Sequence, residues 1–350
     1  MAILQILSYE SCGKTALCAG IGKKLVNAGT RVGYIKPIHV TGQAKDSCAD
    51  AIFINEALEL GENKEQVCPI HLSQEELWSK LSEDIDGFSN TVVAACQKVL
   101  AGKDVLIIES PGSLKGDKVS GLAGSTIAEK MDTRIIMLVC YSTGFKDPEI
   151  IQSAKKFGDR LVGVVVNQVP ESKLDSIQTE CSDYFKSQGV NLLGVLPESR
   201  TLLGVTVGEI ATALGAEIIS SKDKSGELVE NFMLGAMTPD QVREYYDRKK
   251  NKAVVTSTER PDMQLAALDT STKCLVVAGK KPSTSVMVKA EDKKVPVMVV
   301  DRNIEDIVLD IEKALSKARF HNLQKLKAVS AILDSRFDYK ALNTALGLPQ

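Results

Sequence analysis

The chain opens with an apolar run, Ile3, Leu4, Ile6 and Leu7, that gives way to the polar stretch Ser8-Tyr9-Glu10-Ser11-Cys12-Gly13-Lys14-Thr15. Beyond it Leu17, Ile21 and Leu25 recur every fourth residue, the spacing of one helical face. Strand, loop and helix follow without a linker, and the alternation continues. Residues 30–38 read as a second strand punctuated by Pro37. Ala51, Ile52, Ile54 and Leu58 mark a helix, and residues 74–100 form a long amphipathic stretch suited to an outer helical layer. A buried strand lies within 104–113. Two more follow at 134–139 and 161–166, with a helical run at 148–157 between them, and a short one at 191–196. Strands apolar enough to be buried on both faces, separated by helices, predict an α/β fold with a doubly wound parallel sheet.

Composition shifts at residues 220–226, a polar stretch suited to a linker. Beyond it Thr238-Pro239-Asp240-Gln241 carries a helix-start signature, and the basic run Arg248-Lys249-Lys250-Asn251-Lys252 suits a solvated helix C-terminus. Strands are expected at 253–256, 274–278 and 295–300, with helices near 262–268, 283–290 and 304–315. The pattern therefore predicts a first domain over 1–222, a smaller α/β domain over 223–318 and a short helical tail over 319–350. A length of 350 residues suits two domains.

The polar stretch approximates G-x-x-x-x-G-K-[ST], in which backbone amides at a helix N-terminus cradle phosphates, the lysine reaches them and the hydroxyl ligates Mg2+. Gly13, Lys14 and Thr15 match, Ser11 and Cys12 complete the candidate cradle, and Ser8 stands where the first glycine belongs. Lys36 falls at the C-terminal edge of a strand, where open α/β sheets gather ligands, a plain surface lysine being the alternative. Asp46 and Asp50 precede a helical run, where a carboxylate either caps the helix or holds Mg2+. Glu109 ends an apolar strand in a Walker B arrangement. Asn167, at another strand tip, offers donors and an acceptor to a purine edge or simply closes a turn.

Hydrophobic content of 44% and charge of 25% describe a globular chain. A net charge of -2 gives no field to recruit nucleic acid or an anionic membrane. No apolar run approaches membrane-spanning length, and the first strand begins almost at Met1, so a cytoplasmic protein without a cleaved signal is expected. The eight cysteines are scattered without a C-x-x-C pair and read as reduced thiols. Cys12, inside the loop, is either an oxidisable thiol or structural filler. His39, His71 and His321 are far apart and without cysteine partners in sequence, which argues against a zinc site.

Together, Gly13-Lys14-Thr15, Gly33-Tyr34-Ile35-Lys36-Pro37, Asp50, Glu109, Asn167 and Pro197-Glu198 make residues 1–220 resemble the dethiobiotin-synthetase branch of P-loop proteins. Within that branch the likeness is to the N-terminal domain of long phosphate acetyltransferases. Residues 223–318, with Ser257-Thr258-Glu259-Arg260-Pro261-Asp262 and Gly279-Lys280-Lys281-Pro282 at strand tips, resemble the DRTGG domain that follows in the same transferases. The resemblance implies ATP and Mg2+ as cofactors. It implies that Lys14 binds the nucleotide phosphates, that Thr15, Asp50 and Glu109 approach Mg2+, that Lys36 faces the phosphoryl acceptor and acts with Lys14 in catalysis, and that Asn167 and Pro197 border the base. One departure is Ser8; another is Ser110-Pro111-Gly112-Ser113, which replaces the glycine-rich run of true synthetases. The implied function is a cytosolic, slow Mg-dependent ATPase with a regulatory or sensing role. The alternative is an ATP-dependent carboxylate-activating synthetase of the dethiobiotin or cobyrinate diamide type. A self-sufficient phosphate acetyltransferase is not expected. Candidate partners are a nucleotide, a small molecule at the second domain and a second copy of the chain, whereas nucleic acid and membrane are not expected.

Overall fold

The apolar runs of the first half converge on one parallel sheet. The computed structural model describes residues 1–40, 48–115, 118–235, 242–316 and 318–349. It divides into two units: Met1–Glu198 with Lys325–Gln350, and Ser199–Gln324. The expected boundaries at 222 and 318 do not coincide with this division.

The strands of the first unit are β1 (Ala2–Ser8), β2 (Val32–Ile35), β3 (Ile38–Val40), β4 (Ile70–Leu72), β5 (Val105–Glu109), β6 (Arg134–Cys140), β7 (Leu161–Val169) and β8 (Leu192–Pro197). Its helices are α1 (Lys14–Asn27), α2 (Ala49–Ala57), α3 (Lys64–Val67), α4 (Gln74–Glu83), α5 (Ile85–Leu100), α6 (Lys118–Met131), α7 (Pro148–Lys156) and α8 (Leu174–Ser187). Six strands pair in the order β2-β5-β1-β6-β7-β8, parallel throughout, while β3 and β4 form a separate parallel pair. From β1 the chain crosses to β2 on one side, and from β5 it crosses to β6 on the other. Connections thus diverge around β1, and its C-terminal end becomes the natural ligand crevice. Residues of α4, α5 and α6 pack with Ile35, Leu106 and Ile108 in one core cluster. Residues of α7 and α8 pack with Met137, Val139, Val164 and Val166 in another.

The amphipathic stretch over 74–100 is helical as expected and forms two helices, α4 and α5. Asp84 breaks it by turning its carboxylate onto the Gly87 amide at 2.8 Å, so that it caps α5 instead of continuing α4.

The tail is helical, as expected, and returns to the first unit. Its helices, α15 (Leu323–Arg336) and α16 (Tyr339–Leu346), belong from Lys325 onward to the first unit. Leu333 and Leu342 are fully buried, and the Asp338 amide donates to the Leu193 carbonyl at 2.7 Å. Gly20 permits the approach, because a Cβ there would run into Leu333.

The second unit contains β9 (Val205–Thr206), β10 (Ile218–Ser220), β11 (Leu228–Val229), β12 (Asn231–Leu234), β13 (Lys252–Ser257), β14 (Thr272–Ala278) and β15 (Val297–Val300). Its helices are α9 (Arg200–Leu203), α10 (Val207–Leu214), α11 (Val242–Asp247), α12 (Pro261–Leu268), α13 (Thr284–Asp292) and α14 (Ile304–Ser316). Five strands pair in the order β10-β15-β14-β13-β12, with β10 antiparallel at one edge. The short edge strands β10 and β12 were invisible in the hydrophobic pattern. Ser220, expected to open a linker, ends β10 and lies inside this unit. The helix start at Thr238 to Gln241 falls outside the described residues, as does Asp46. Lys252, expected on a solvated face, is fully buried and donates to the carbonyls of Lys249 and Ser271 at 3.1 and 3.2 Å.

Candidate phosphate site

The site is assembled where β1 ends, α1 begins, and the tips of β2 and β5 lie alongside. Gly13 is the N-cap of α1, with φ of 94° and no side-chain cap, so the first turn's amides meet no capping group. That left-handed backbone suits glycine, and a Cβ would also come within 3.3 Å of Asn167 Nδ2. The segment after β5 is tied to the loop, with Leu114 and Lys115 amides donating to the carbonyls of Ser8 and Tyr9 at 2.9 Å.

Glu109 is the hub. Its carboxylate, on a residue only 2% exposed, accepts from Thr15 Oγ1 at 2.9 Å and from Tyr34 OH at 2.7 Å, and pairs with Lys36 Nζ at 3.1 Å. Burial by itself would raise this carboxyl. The charges of Lys36 and Lys14, with the hydrogen bonds from Tyr34 and Lys36, outweigh burial and hold it below the usual carboxylate range. Lys36 is raised, first by the Glu109 charge, which overcomes its own desolvation. Lys14 is lowered chiefly by burial. Its Nζ donates to Ser8 Oγ at 2.9 Å and to the Gly112 carbonyl. Asp50, in the first turn of α2, acts electrostatically on both Lys36 and Tyr34.

A second group braces the loop. Asn167 Nδ2 donates to the Cys12 carbonyl at 2.8 Å, and Cys140 Sγ lies 3.8 Å from the Ser11 carbonyl. The Cys12 thiol is pushed up, first by its hydrogen bond with Cys140 and then by burial, so the helix N-terminus does not leave it a reactive thiolate. Pro197 pairs with Val169 at the end of β8, and the Glu198 amide donates to the Val169 carbonyl at 2.8 Å. Three strand positions separate β8 from β1, or roughly 14 Å at the usual strand spacing. Lys14, Thr15, Lys36, Glu109 and Asp50 are thus gathered, Ser11, Cys12, Gly13 and Asn167 adjoin them, and Pro197 stands apart.

Sequence reasoning gave no role to the Ser8 hydroxyl, Tyr34 or the Gly112 carbonyl. The departure at Ser8 has a simple physical content: its side chain is buried and receives the lysine. Histidines and cysteines that lie far apart in the sequence, and were expected to remain so, converge in the structure. Parallel pairing sets His39 opposite His71, with ring centroids 5.5 Å apart, and Cys48 and Cys68 are joined rather than both being free thiols. Distance along the chain concealed this convergence.

The donor set suits a phosphate and a hard cation. Two lysines lie close to the N-terminus of α1, and Thr15 and Glu109 carry oxygens of the kind that Mg2+ prefers. This parallel sheet and its loop define a protein of the P-loop NTPase class.

An AAA domain model matches residues 9–206, more than half of the chain, which belongs to that family; a DRTGG domain model matches residues 209–314. The pairing is that of the N-terminal half of long phosphate acetyltransferases. The chain is 22% identical to phosphate acetyltransferase of Haemophilus influenzae over 97% of its own length and 52% of that protein. For the Pseudomonas aeruginosa enzyme the values are 21%, 97% and 51%. The chain therefore spans about half the length of these curated relatives. Among solved structures, the MinD cell division protein of Aquifex aeolicus is 18% identical with a TM-score of 0.33, covering 58% of this chain and 85% of that one.

Proposed function

We propose that the first unit binds Mg·ATP at the Gly13-Lys14-Thr15 loop and hydrolyses it slowly, and that the second unit senses a small ligand and makes the output regulatory. The observation that supports this most is the convergence of Lys14, Thr15 and Lys36 on the buried Glu109. Lys14 would leave Ser8 and the Gly112 carbonyl for the β- and γ-phosphate oxygens. Thr15 and Glu109, with Asp50 nearby, would hold Mg2+, which when bound neutralises developing phosphate charge. Asn167 would keep the Cys12 carbonyl turned from the anion, leaving amides toward it. Pro197 would border the base, and the cytoplasm is the compartment proposed.

Lys36 favours a second reading, a carboxylate-activating synthetase. It follows the β2 tip and meets the same Glu109 oxygen that accepts from Thr15, so its ammonium lies at the Walker-type carboxylate, where it would hold an acceptor anion beside the phosphates. ADP release with Mg·ATP, alone and with a panel of small dicarboxylates and amino acids, separates the two readings. A slow rate indifferent to every carboxylate supports the regulatory ATPase. A rate raised more than tenfold by one of them supports the synthetase, and no release in any mixture contradicts both.

A further inference from the structure

Beside the phosphate site, the described residues hold a separate cluster of metal-ligating side chains. Cys48 is the N-cap of α2, Cys68 follows α3 as its C-cap, and His71 lies in β4. Each offers one ligand atom, and these atoms lie within 4.8 Å of one another. The two sulfurs are joined, with Cα atoms 6.4 Å apart. A cross-link accounts for the two cysteines and leaves the imidazole beside them unexplained.

Several features fit a metal centre. His71 Nε2 lies 3.0 Å from the Cys68 carbonyl. Donation there places the neutral ring's lone pair on Nδ1, which is how ligating imidazoles are commonly fixed in one tautomer by a backbone carbonyl. Cys68-Pro69-Ile70-His71 sets two ligands at the short separation common in zinc sites, and Cys48 closes the set from another element. The cysteines are 5% and 3% exposed, whereas His71 is exposed, so the two sulfurs are dry and the imidazole opens to solvent. His39, register partner of His71, stands edge-on to it at 5.5 Å.

We propose that Cys48, Cys68 and His71 form a thiolate–imidazole site for a soft divalent cation, zinc by the chemistry of its donors. The dithiol form binds the ion and releases two protons; the disulfide form does not bind it. The bound ion would fasten the start of α2, two residues before Asp50, to the segment entering β4. This inference does not depend on nucleotide binding.

The test uses the full chain, purified with a phosphine reductant and without chelator or nucleotide, and reads zinc by mass spectrometry and thiolate-to-cobalt charge transfer after cobalt exchange. A single zinc per chain and the charge-transfer band are expected, with both lost in Cys68→Ser and zinc affinity lowered at least tenfold in His71→Ala, whose exposed side chain can be removed without loss of core. Reduced wild-type protein that holds no zinc, offers no cobalt band, or retains full affinity after His71→Ala overturns the proposal.

Discussion

Both units set parallel strands among helices and present polar loops at strand tips, yet the two edges treat charge in opposite ways. At the first, Glu109 is buried and receives Thr15, Tyr34 and Lys36, with Lys14 close enough to shift it. At the second, Arg260 pairs with Asp262 at 2.8 Å, and both side chains are about a third or more exposed. Thr258 donates its hydroxyl to the carbonyls of Ala278 and Lys280, and Gln264 donates to the Ser257 carbonyl. The architecture is shared, but among the described residues the first edge removes ionised groups from water, which is costly and characteristic of sites that handle charge. The second keeps its ion pair at the surface, and the second unit's buried Lys252 lies at the opposite, N-terminal end of β13. Similar scaffolds thus separate by where they bury charge.

The sharpest way to break the contrast is Glu109→Gln. It leaves two lysines without their buried counter-charge, and a loss of about 3 kcal/mol in unfolding free energy is expected. Urea titration followed by Trp78, the chain's single tryptophan and a residue of the first unit, reads it. An unchanged midpoint would make the two edges equivalent.

A smaller loss, about 1 to 3 kcal/mol, is expected for Gly20→Val, because the new side chain runs into Leu333. This variant perturbs packing without touching the charge cluster, so its ATP affinity should match wild type in conditions where it remains folded.

The pH profile sharpens the same point. Glu109, held below its ordinary value of 4.5, contributes stability that is full above that value and lost as pH falls through the folded pKa. Lys36, raised above 10.5, contributes below that value and loses the contribution as pH rises through its folded pKa. Lys14, lowered by burial, works in the opposite sense on the alkaline side, so the acid limb is the cleaner reading. The first unit's melting temperature should fall below about pH 4.5, and this limb should flatten in Glu109→Gln. The smallest effect belongs to the second edge: Arg260→Ala should change stability by less than about 1 kcal/mol, as exposed pairs do.

The first edge was readable because its signals are contiguous. Gly13-Lys14-Thr15 sits between a strand and a helix, and Glu109 closes an unbroken apolar run, so local pattern suffices. Tyr34 and Ser8 were hidden because strand residues signal burial but not partners. The break at Asp84 was available in Asp84-Ile85-Asp86-Gly87, a cap signature masked by amphipathic spacing on both sides. Edge strands β10 and β12 are too short to show a period. The Cys48, Cys68 and His71 cluster had no sequence signal beyond the Cys68-to-His71 spacing, since chain separation says nothing of where parallel pairing brings segments together. The tail's return to the first unit is made by contacts between distant residues, among them Gly20 with Leu333 and the Asp338 amide with the Leu193 carbonyl, which no local pattern encodes.

Calorimetric titration of Mg·ATP into wild-type protein and Lys14→Ala bears most directly on the phosphate site. A charge-assisted contact contributes about 1.5 to 3 kcal/mol, so affinity should drop by roughly ten- to two-hundredfold in the variant while the fold is retained. Equal affinity in both proteins, or no binding to either, would contradict a phosphate-binding role for Lys14 and the buried cluster around Glu109.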